Sequence, residues 1–278
     1  MAEESNLNND LLSALGSDEG SAAGEPACEL SDVTVSFEDA DVLDGISVAF
    51  PAHACTVIMG PSGSGKSTLL KAAAGLAVPD RGSVEILGLD PARTPDRELE
   101  TLRSRNGFVF QDGALWQNMT LYQNLALPLQ YHHPELGAGE VRERVMRLAR
   151  EVRATRRLDL RASQVSAGER KVVSFARAIV NDPELLFMDE PTTSVDTERV
   201  DLLIRKLRHL KERRVTIVSV THNARIASQI ADYVVVMMEG RILRFGSLRE
   251  VSRSGDPAVE RILTDVLSET ATYDGDIL

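Results

Sequence analysis

The chain has 278 residues, enough to bury a full hydrophobic core, and a formal net charge of −11 at pH 7. Residues 1–28 carry six acids and residues 265–278 carry four, neither with any Lys or Arg, so the two ends hold −10 of the −11 and the body is close to neutral. Two cysteines, no lysine-rich patch and no apolar run near the roughly 18 residues of a bilayer span exclude a disulfide framework and a membrane-spanning chain, and argue against nucleic acid as a partner.

Residues 1–27, rich in Ser, Asn, Gly, Ala and acid, are expected to form a disordered acidic tail. They hold no basic stretch followed by an apolar one, so no signal peptide is expected. Leu7, Leu11, Leu12 and Leu15 make a weak helical stripe that reads as part of a solvated tail. Short β-rich runs follow, Val33 to Phe37 and Ile46 to Phe50, then a buried strand, Thr56 to Met59, with Cys55 beside it as a small buried hydrophobe. The next residues are Gly60, Pro61, Ser62, Gly63, Ser64, Gly65, Lys66, Ser67 and Thr68, and Thr68 to Ala74 reads as a helix. This G-x-x-x-x-G-K-[ST] run between strand and helix is a phosphate-binding loop. Glycines let successive N–H groups face phosphate oxygens, and the helix N-terminus adds partial positive charge. Lys66 would reach the β- and γ-phosphates of a nucleoside triphosphate, and the Ser67 hydroxyl would join a Mg²⁺ shell.

Ser83 to Leu87 and Gly107 to Phe110 are further strands. Residues from about 114 to 163 turn helical, with Val141, Val145, Leu148 and Val152 on one face. Eight arginines between 142 and 161 read as a solvated helix face with local acid partners such as Glu143 and Glu151. Leu185 to Met188 and Val215 to Val220 are continuous apolar runs, suited to central parallel strands covered on both faces. Asp189 and Glu190 end the first of them. Asp189 is placed for an outer-shell contact to Mg²⁺, and Glu190 to polarise the water that attacks the γ-phosphate. Tyr233 to Met237 and Arg241 to Leu243 suggest a hairpin about Glu239 and Gly240. Near the C-terminus Val259, Ile262, Leu263 and Val266 share a helical face, expected to pack across a dimer or onto a partner.

Over nearly all of residues 29–250 these features, in this order, resemble the nucleotide-binding domains of ABC transporters. Phe37 stands where that family has an aromatic stacking on adenine, a position that core packing would also explain. Phe110-Gln111-Asp112 resembles the Q-loop, Val165-Ser166-Ala167-Gly168-Glu169 the signature LSGGQ, Thr193-Ser194-Val195-Asp196 the D-loop, and Val220-Thr221-His222-Asn223 the switch-histidine loop. The resemblance implies an α/β P-loop NTPase core with a parallel central sheet, an N-terminal antiparallel β subdomain and an inserted α-helical subdomain at about 114–165. The whole domain would run over 28–250, followed by a C-terminal helix and acidic tail over 251–278. It implies ATP and Mg²⁺ as ligands, Gln111 sensing the metal and the attacking water, and His222 holding the γ-phosphate and orienting Glu190. Ser166 and Gly168 would face the ATP of a second chain, so a dimer, by expectation a homodimer, is required. Ala167 and Glu169 depart from the usual glycine and glutamine, and Val172 from a frequent arginine, which bears on the ATPase rate. Ser166 and Glu169 also have the spacing of a capping box.

The run from Phe110 through Trp116 to Leu129, and Asp256 to Leu263, are similar to the Mla/Mce-type ATPases that drive lipid transport in the bacterial envelope. That likeness implies integral-membrane permease subunits, a lipid-binding Mce-type subunit, and a place on the cytoplasmic face of the inner membrane. Transport of another small solute, or a regulatory role beside a membrane partner, are the alternatives.

Overall fold

The structure is a computed structural model and describes residues 25–38 and 40–271, so most of the acidic N-terminal segment and the last residues of the chain lie outside it. Two compact units divide the chain: one comprises the sequence up to Thr94 together with Val218 onward, the other Pro95–Ile217. Among the described residues no helix is long and apolar enough to cross a membrane.

In the first unit β1 (Cys28–Phe37) pairs antiparallel with β2 (Ala40–Phe50) on one side and β4 (Arg81–Ile86) on the other. Cys28, Leu30, Val33 and Val35 point to the core, and the register slips between Leu30 and Val33, where Asp32 adopts a φ of +52°. All of β3 (Cys55–Met59) is buried, and it pairs in parallel with β8 (Tyr233–Met238), Thr56 opposite Tyr233 and Met59 opposite Val236. β9 (Arg241–Ser247) returns antiparallel after a tight turn in which Glu239 and Gly240 both have positive φ, the geometry that suits a two-residue hairpin. Helix α1 (Lys66–Ala73) follows the glycine loop. Helices α7 (Ala224–Ile230), α8 (Leu248–Ser252) and α9 (Pro257–Ala271) complete the unit. Val259, Ile262 and Leu263 of α9 are buried, with α9 lying on α7, α8 and β3. The part of this apolar face that is described is therefore consumed within its own unit rather than offered to a dimer or a partner.

In the second unit β5 (Asn106–Val109) and β6 (Leu185–Asp189) pair in parallel, Asn106 opposite Leu185 and Val109 opposite Met188. The start of the pair is tied by Arg105, which donates to both carboxylate oxygens of Glu184 at 2.7 and 2.8 Å. Helix α2 (Asp96–Arg105) buries only Leu102 and so gives no apolar periodicity, but Asp96 and Glu98 in its first turn and Arg103 and Arg105 in its last complement the helix dipole. α3 (Leu121–His132) begins at a capping box formed by Thr120 and Gln123. α4 (Ala138–Glu151) buries Val141, Val145 and Leu148, as its period requires. α5 (Ala167–Ile179) crosses β5 closely enough that a Cβ on Gly107 would stand 2.2 Å from the Ala178 carbonyl oxygen. α6 (Thr197–Glu212) leads to β7 (Thr216–Val220), a strand buried throughout whose first two residues close this unit and whose last three open the return to the first. Arg142, Arg147 and Arg150 lie on an exposed helix face as expected, but Arg153 pairs with Glu198 and Arg157 with Glu169 rather than with local acids, while Glu151 is taken by Lys206.

Candidate functional site

In the first unit the loop Gly60–Thr68 leaves the buried end of β3 and enters α1. Two of its glycines, Gly60 and Gly65, are required by space. A Cβ on Gly60 would lie 2.3 Å from the Met237 carbonyl oxygen, and one on Gly65, whose φ is +93°, 2.7 Å from that of Val42. The β8–β9 turn braces the loop from beneath, since Gly240 N–H donates to the Ser64 carbonyl at 3.2 Å. Pro61, Ser62 and Gly63 form the exposed tip, and Ser67 and Thr68 are half-buried in the first turn of α1. Lys66 is buried and its Nζ donates to the carbonyls of Gly60 and Pro61 at 2.8 Å each, folding the cation over the loop. Ser64 Oγ is buried with no hydrogen-bond partner among the described residues. An orphaned buried hydroxyl in this glycine loop fits an anion such as a polyphosphate.

The same unit carries Phe37 and His222. Phe37, at the end of β1, is 59% exposed, which rules out core packing and leaves a ring face open for a planar ligand. His222 is half-buried just before α7, whose N-terminus is capped by Asn223 Oδ1 accepting from Arg225 N–H at 3.0 Å and Ile226 N–H at 3.2 Å.

In the second unit Asp189 ends β6 in full burial, and Glu190 turns out of the strand with a φ of +46°. A non-glycine residue held in that region marks a position fixed by its surroundings. Gln111 is exposed, but its backbone is clamped. Lys171 of α5, only 4% exposed, donates through Nζ to the Phe110 carbonyl at 3.1 Å and to that of Gln111. Arg177, two turns along the same helix, donates to the Ala114 carbonyl at 2.8 Å and to that of Gly113 at 3.4 Å. Burial pushes the Lys171 ammonium pKa down, while the charges of Asp189, Glu190 and Asp112 act to raise it. Sequence reasoning did not find Lys171. Its signal was a lone lysine between Gly168 and Phe175 on the buried stripe of an amphipathic helix.

The segment beyond Gln111 is pinned by Asn124. Its buried side chain accepts from Trp116 N–H at 2.8 Å and donates to the carbonyls of Trp116 at 3.1 Å and Thr120 at 3.0 Å. The indole of Trp116 is left 61% exposed on a rigid loop.

Ser166 caps α5, and the departures from LSGGQ acquire distinct physical reasons. A Cβ at Gly168 would stand 2.8 Å from the Ser194 carbonyl oxygen, so glycine is needed there. Ala167 is exposed and its methyl meets no such limit. Glu169 closes a reciprocal capping box with Ser166 and accepts from Arg157 at 2.7 and 2.8 Å. Burial alone would raise the Glu169 pKa, but the Ser166 N–H and the Arg157 guanidinium outweigh it and hold the carboxyl below the usual range. Asp196 caps α6 by accepting from Arg199 N–H at 3.0 Å.

The first unit thus assembles the phosphate loop with Phe37 and His222 among its residues, and the second gathers Gln111, Ser166, Gly168, Asp189 and Glu190. Among the described residues no cluster of three or more His, Cys, Asp or Glu could hold a metal ion by itself.

Comparison with known proteins accounts for the ordered set. The family model described as ABC transporter matches residues 43–193. The probable ribonucleotide transport ATP-binding protein mkl of Mycobacterium leprae is 33% identical over 253 residues, which is 91% of this chain and 72% of that protein. The sulfate/thiosulfate import ATP-binding protein CysA of Vibrio vulnificus is 34% identical over 248 residues, 88% of this chain and 70% of the relative. A solved ATP-binding cassette, dimeric and in a post-hydrolysis state with ADP and Pi bound, superposes with a TM-score of 0.75 at 29% identity, covering 80% of this chain and 99% of its own. A second structure, an ATP-binding subunit of an ABC transporter, gives 0.76 at 26% identity over 87% and 98%. These matches show the α/β ABC-type fold, with an antiparallel β subdomain and a mixed, mainly parallel sheet. The chain belongs to the ABC transporter family, as an ATP-binding subunit with ABC-type ATPase chemistry.

Proposed function

We propose that this subunit energises lipid transport, of phospholipid in the first instance, in a bacterial envelope. It works as a homodimer on the cytoplasmic face of the inner membrane, against separate permease subunits and a lipid-binding Mce-type subunit. The observation that carries the lipid reading is the segment after Gln111: the Asn124 staple that holds an exposed Trp116 ready for a permease helix, in a run similar to the Mla/Mce-type ATPases. A second reading, transport of a small anionic solute, draws on the names of the relatives, which speak of ribonucleotide transport and sulfate or thiosulfate import.

In this reading each residue of the site has a role. Phe37 stacks on adenine, and the loop Gly60–Thr68 with Lys66 binds the triphosphate through backbone N–H groups and one cation. Ser67, Asp189 and Gln111 would hold Mg²⁺, which would supply positive charge to neutralise the triphosphate. Glu190 accepts a hydrogen bond from the attacking water and polarises it. His222 donates to the γ-phosphate and orients Glu190. Ser166 and the N-terminus of α5 meet the γ-phosphate bound to the second chain. Purification of the full chain with its co-purifying membrane subunits, followed by mass spectrometry of extracted lipid and ATPase assays, tests the substrate. Phospholipid enrichment and stimulation of ATPase by phospholipid support lipid transport. Stimulation by sulfate or ribonucleotide, without lipid, supports the second reading.

A further inference from the structure

We infer that Arg157 is a positioning residue for ATP: it neutralises Glu169 at the signature, so that a carboxylate unusual at that place does not repel the γ-phosphate presented by a second chain. The inference rests on the proposed role of Ser166. The geometry is closed on itself. Ser166 Oγ accepts from Glu169 N–H at 3.2 Å and donates to Glu169 Oε2 at 3.0 Å, and Ser166 N–H donates to the same oxygen at 3.1 Å. The hydroxyl proton that would reach a phosphate is thus directed at Glu169. Arg157, half-exposed, donates through one nitrogen, Nη1, to both carboxylate oxygens. Arg199, which also pairs with Asp196 at the end of the D-loop, stands 3.9 Å from Glu169 Oε1.

Two consequences follow. Without a cation, the carboxylate places a full negative charge on the helix N-terminus, cancelling the partial positive charge that favours an anion. With Arg157 in place that potential is restored, and Glu169 can release the Ser166 hydroxyl to a phosphate while staying paired. Arg157 lies in the short 3₁₀ turn Thr155–Arg157 after the helical segment α3–α4, so a shift of this turn would change the charge seen by the nucleotide. Arg157 touches no nucleotide itself; it acts through Glu169.

The test uses the full chain carrying Glu190→Gln to block turnover, and reads the MgATP concentration that half-saturates dimer formation in analytical ultracentrifugation. Arg157→Gln raises it by roughly fivefold, the upper end of what a half-exposed ion pair is worth. Glu169→Gln, which can keep the capping box, leaves it within twofold or lowers it. The double variant Arg157→Gln/Glu169→Gln returns to the Glu169→Gln value, because no charge remains to neutralise. Arg157→Lys keeps the charge and a single donating nitrogen, and so stays closer to the parent chain than Arg157→Gln does. A merely structural role for Arg157 predicts instead that its penalty persists in the Glu169→Gln background, and that result overturns the inference. So does an Arg157→Gln variant without effect when Ser166→Ala does weaken ATP-driven dimerisation. If Ser166→Ala changes nothing, the reading of the serine fails, and the inference with it.

Discussion

Lys171→Met is the most informative single substitution in the second unit. Methionine keeps the length and the apolar stem of the side chain but removes the charge and the donors to the Phe110 and Gln111 carbonyls. Hydrogen bonds from a charged donor are worth about 1.5–3 kcal/mol each. Against this, holding an ammonium in a site only 4% exposed costs several kcal/mol, partly offset here by Asp189, Glu190 and Asp112. The two contributions nearly cancel, so stability should move by about 2 kcal/mol or less in either direction. The chemistry should not escape so lightly. Gln111 loses the anchor of its backbone, and a misplacement of about 1 Å in a group that orients reactants costs on the order of 10²-fold in rate. The expected outcome is a kcat lower by roughly 10- to 100-fold with the KM for MgATP within about twofold. Urea denaturation and steady-state ATPase on the same preparation measure both. An unchanged kcat refutes the argument, as does a loss of activity that tracks a loss of folded protein.

Other outcomes follow from particular contacts. Gly60→Ala would force a Cβ to 2.3 Å from the Met237 carbonyl oxygen; it should cost about 1–3 kcal/mol of stability and more than tenfold in ATP affinity. Gly63→Ala meets nothing within 4 Å and pays only for its φ of +79°, so nucleotide titration of the two variants should rank Gly60→Ala well below it. Glu169, Asp196 and Glu250 are held below the usual carboxylate range, chiefly by hydrogen bonds at helix N-termini. Their contribution to stability is therefore fully present above their ordinary values of 4.5, 3.8 and 4.5 and is lost as pH falls through the depressed ones. Urea midpoints should be flat from neutral pH down to about 5 and drop below about 4. A fall that begins near pH 6 would contradict this assignment.

The elements that sequence reading reached are those whose signals are local. β3, β6 and β7 read as buried strands because five consecutive residues are covered in each, and the β8–β9 hairpin declared itself through Glu239-Gly240. The face Val141, Val145 and Leu148 followed from its period. The misses have a common cause, which is that they depend on which element lies opposite. α2 buries only Leu102 and shows its helix in end charges, a weaker cue than an apolar stripe. The partners of Arg153 and Arg157 are Glu198 and Glu169, 45 and 12 residues away, and long flexible side chains leave no trace of such choices in sequence. Lys171 was not singled out in the sequence, because only the fold shows that α5 turns it under the Phe110 and Gln111 carbonyls. Leu263 and its neighbours on α9 were legible as an apolar face, but what covers that face was not. In the candidate site the residue types were legible from motif order alone. The capping box of Ser166 and Glu169 was legible from its spacing, but the need for Gly168 and the pairing of Glu169 with Arg157 were not, because they lie in a 2.8 Å approach to Ser194 and in a salt bridge from another element.

The central claim is ATP hydrolysis by a closed pair of chains with Glu190 polarising the water. It is tested most directly by Glu190→Gln in the full chain, with ATP hydrolysis and dimer formation measured together. The account predicts a rate lowered by roughly 10²-fold or more and a stable MgATP-bound dimer. Hydrolysis at the wild-type rate, or a chain that stays monomeric in saturating MgATP, would contradict it.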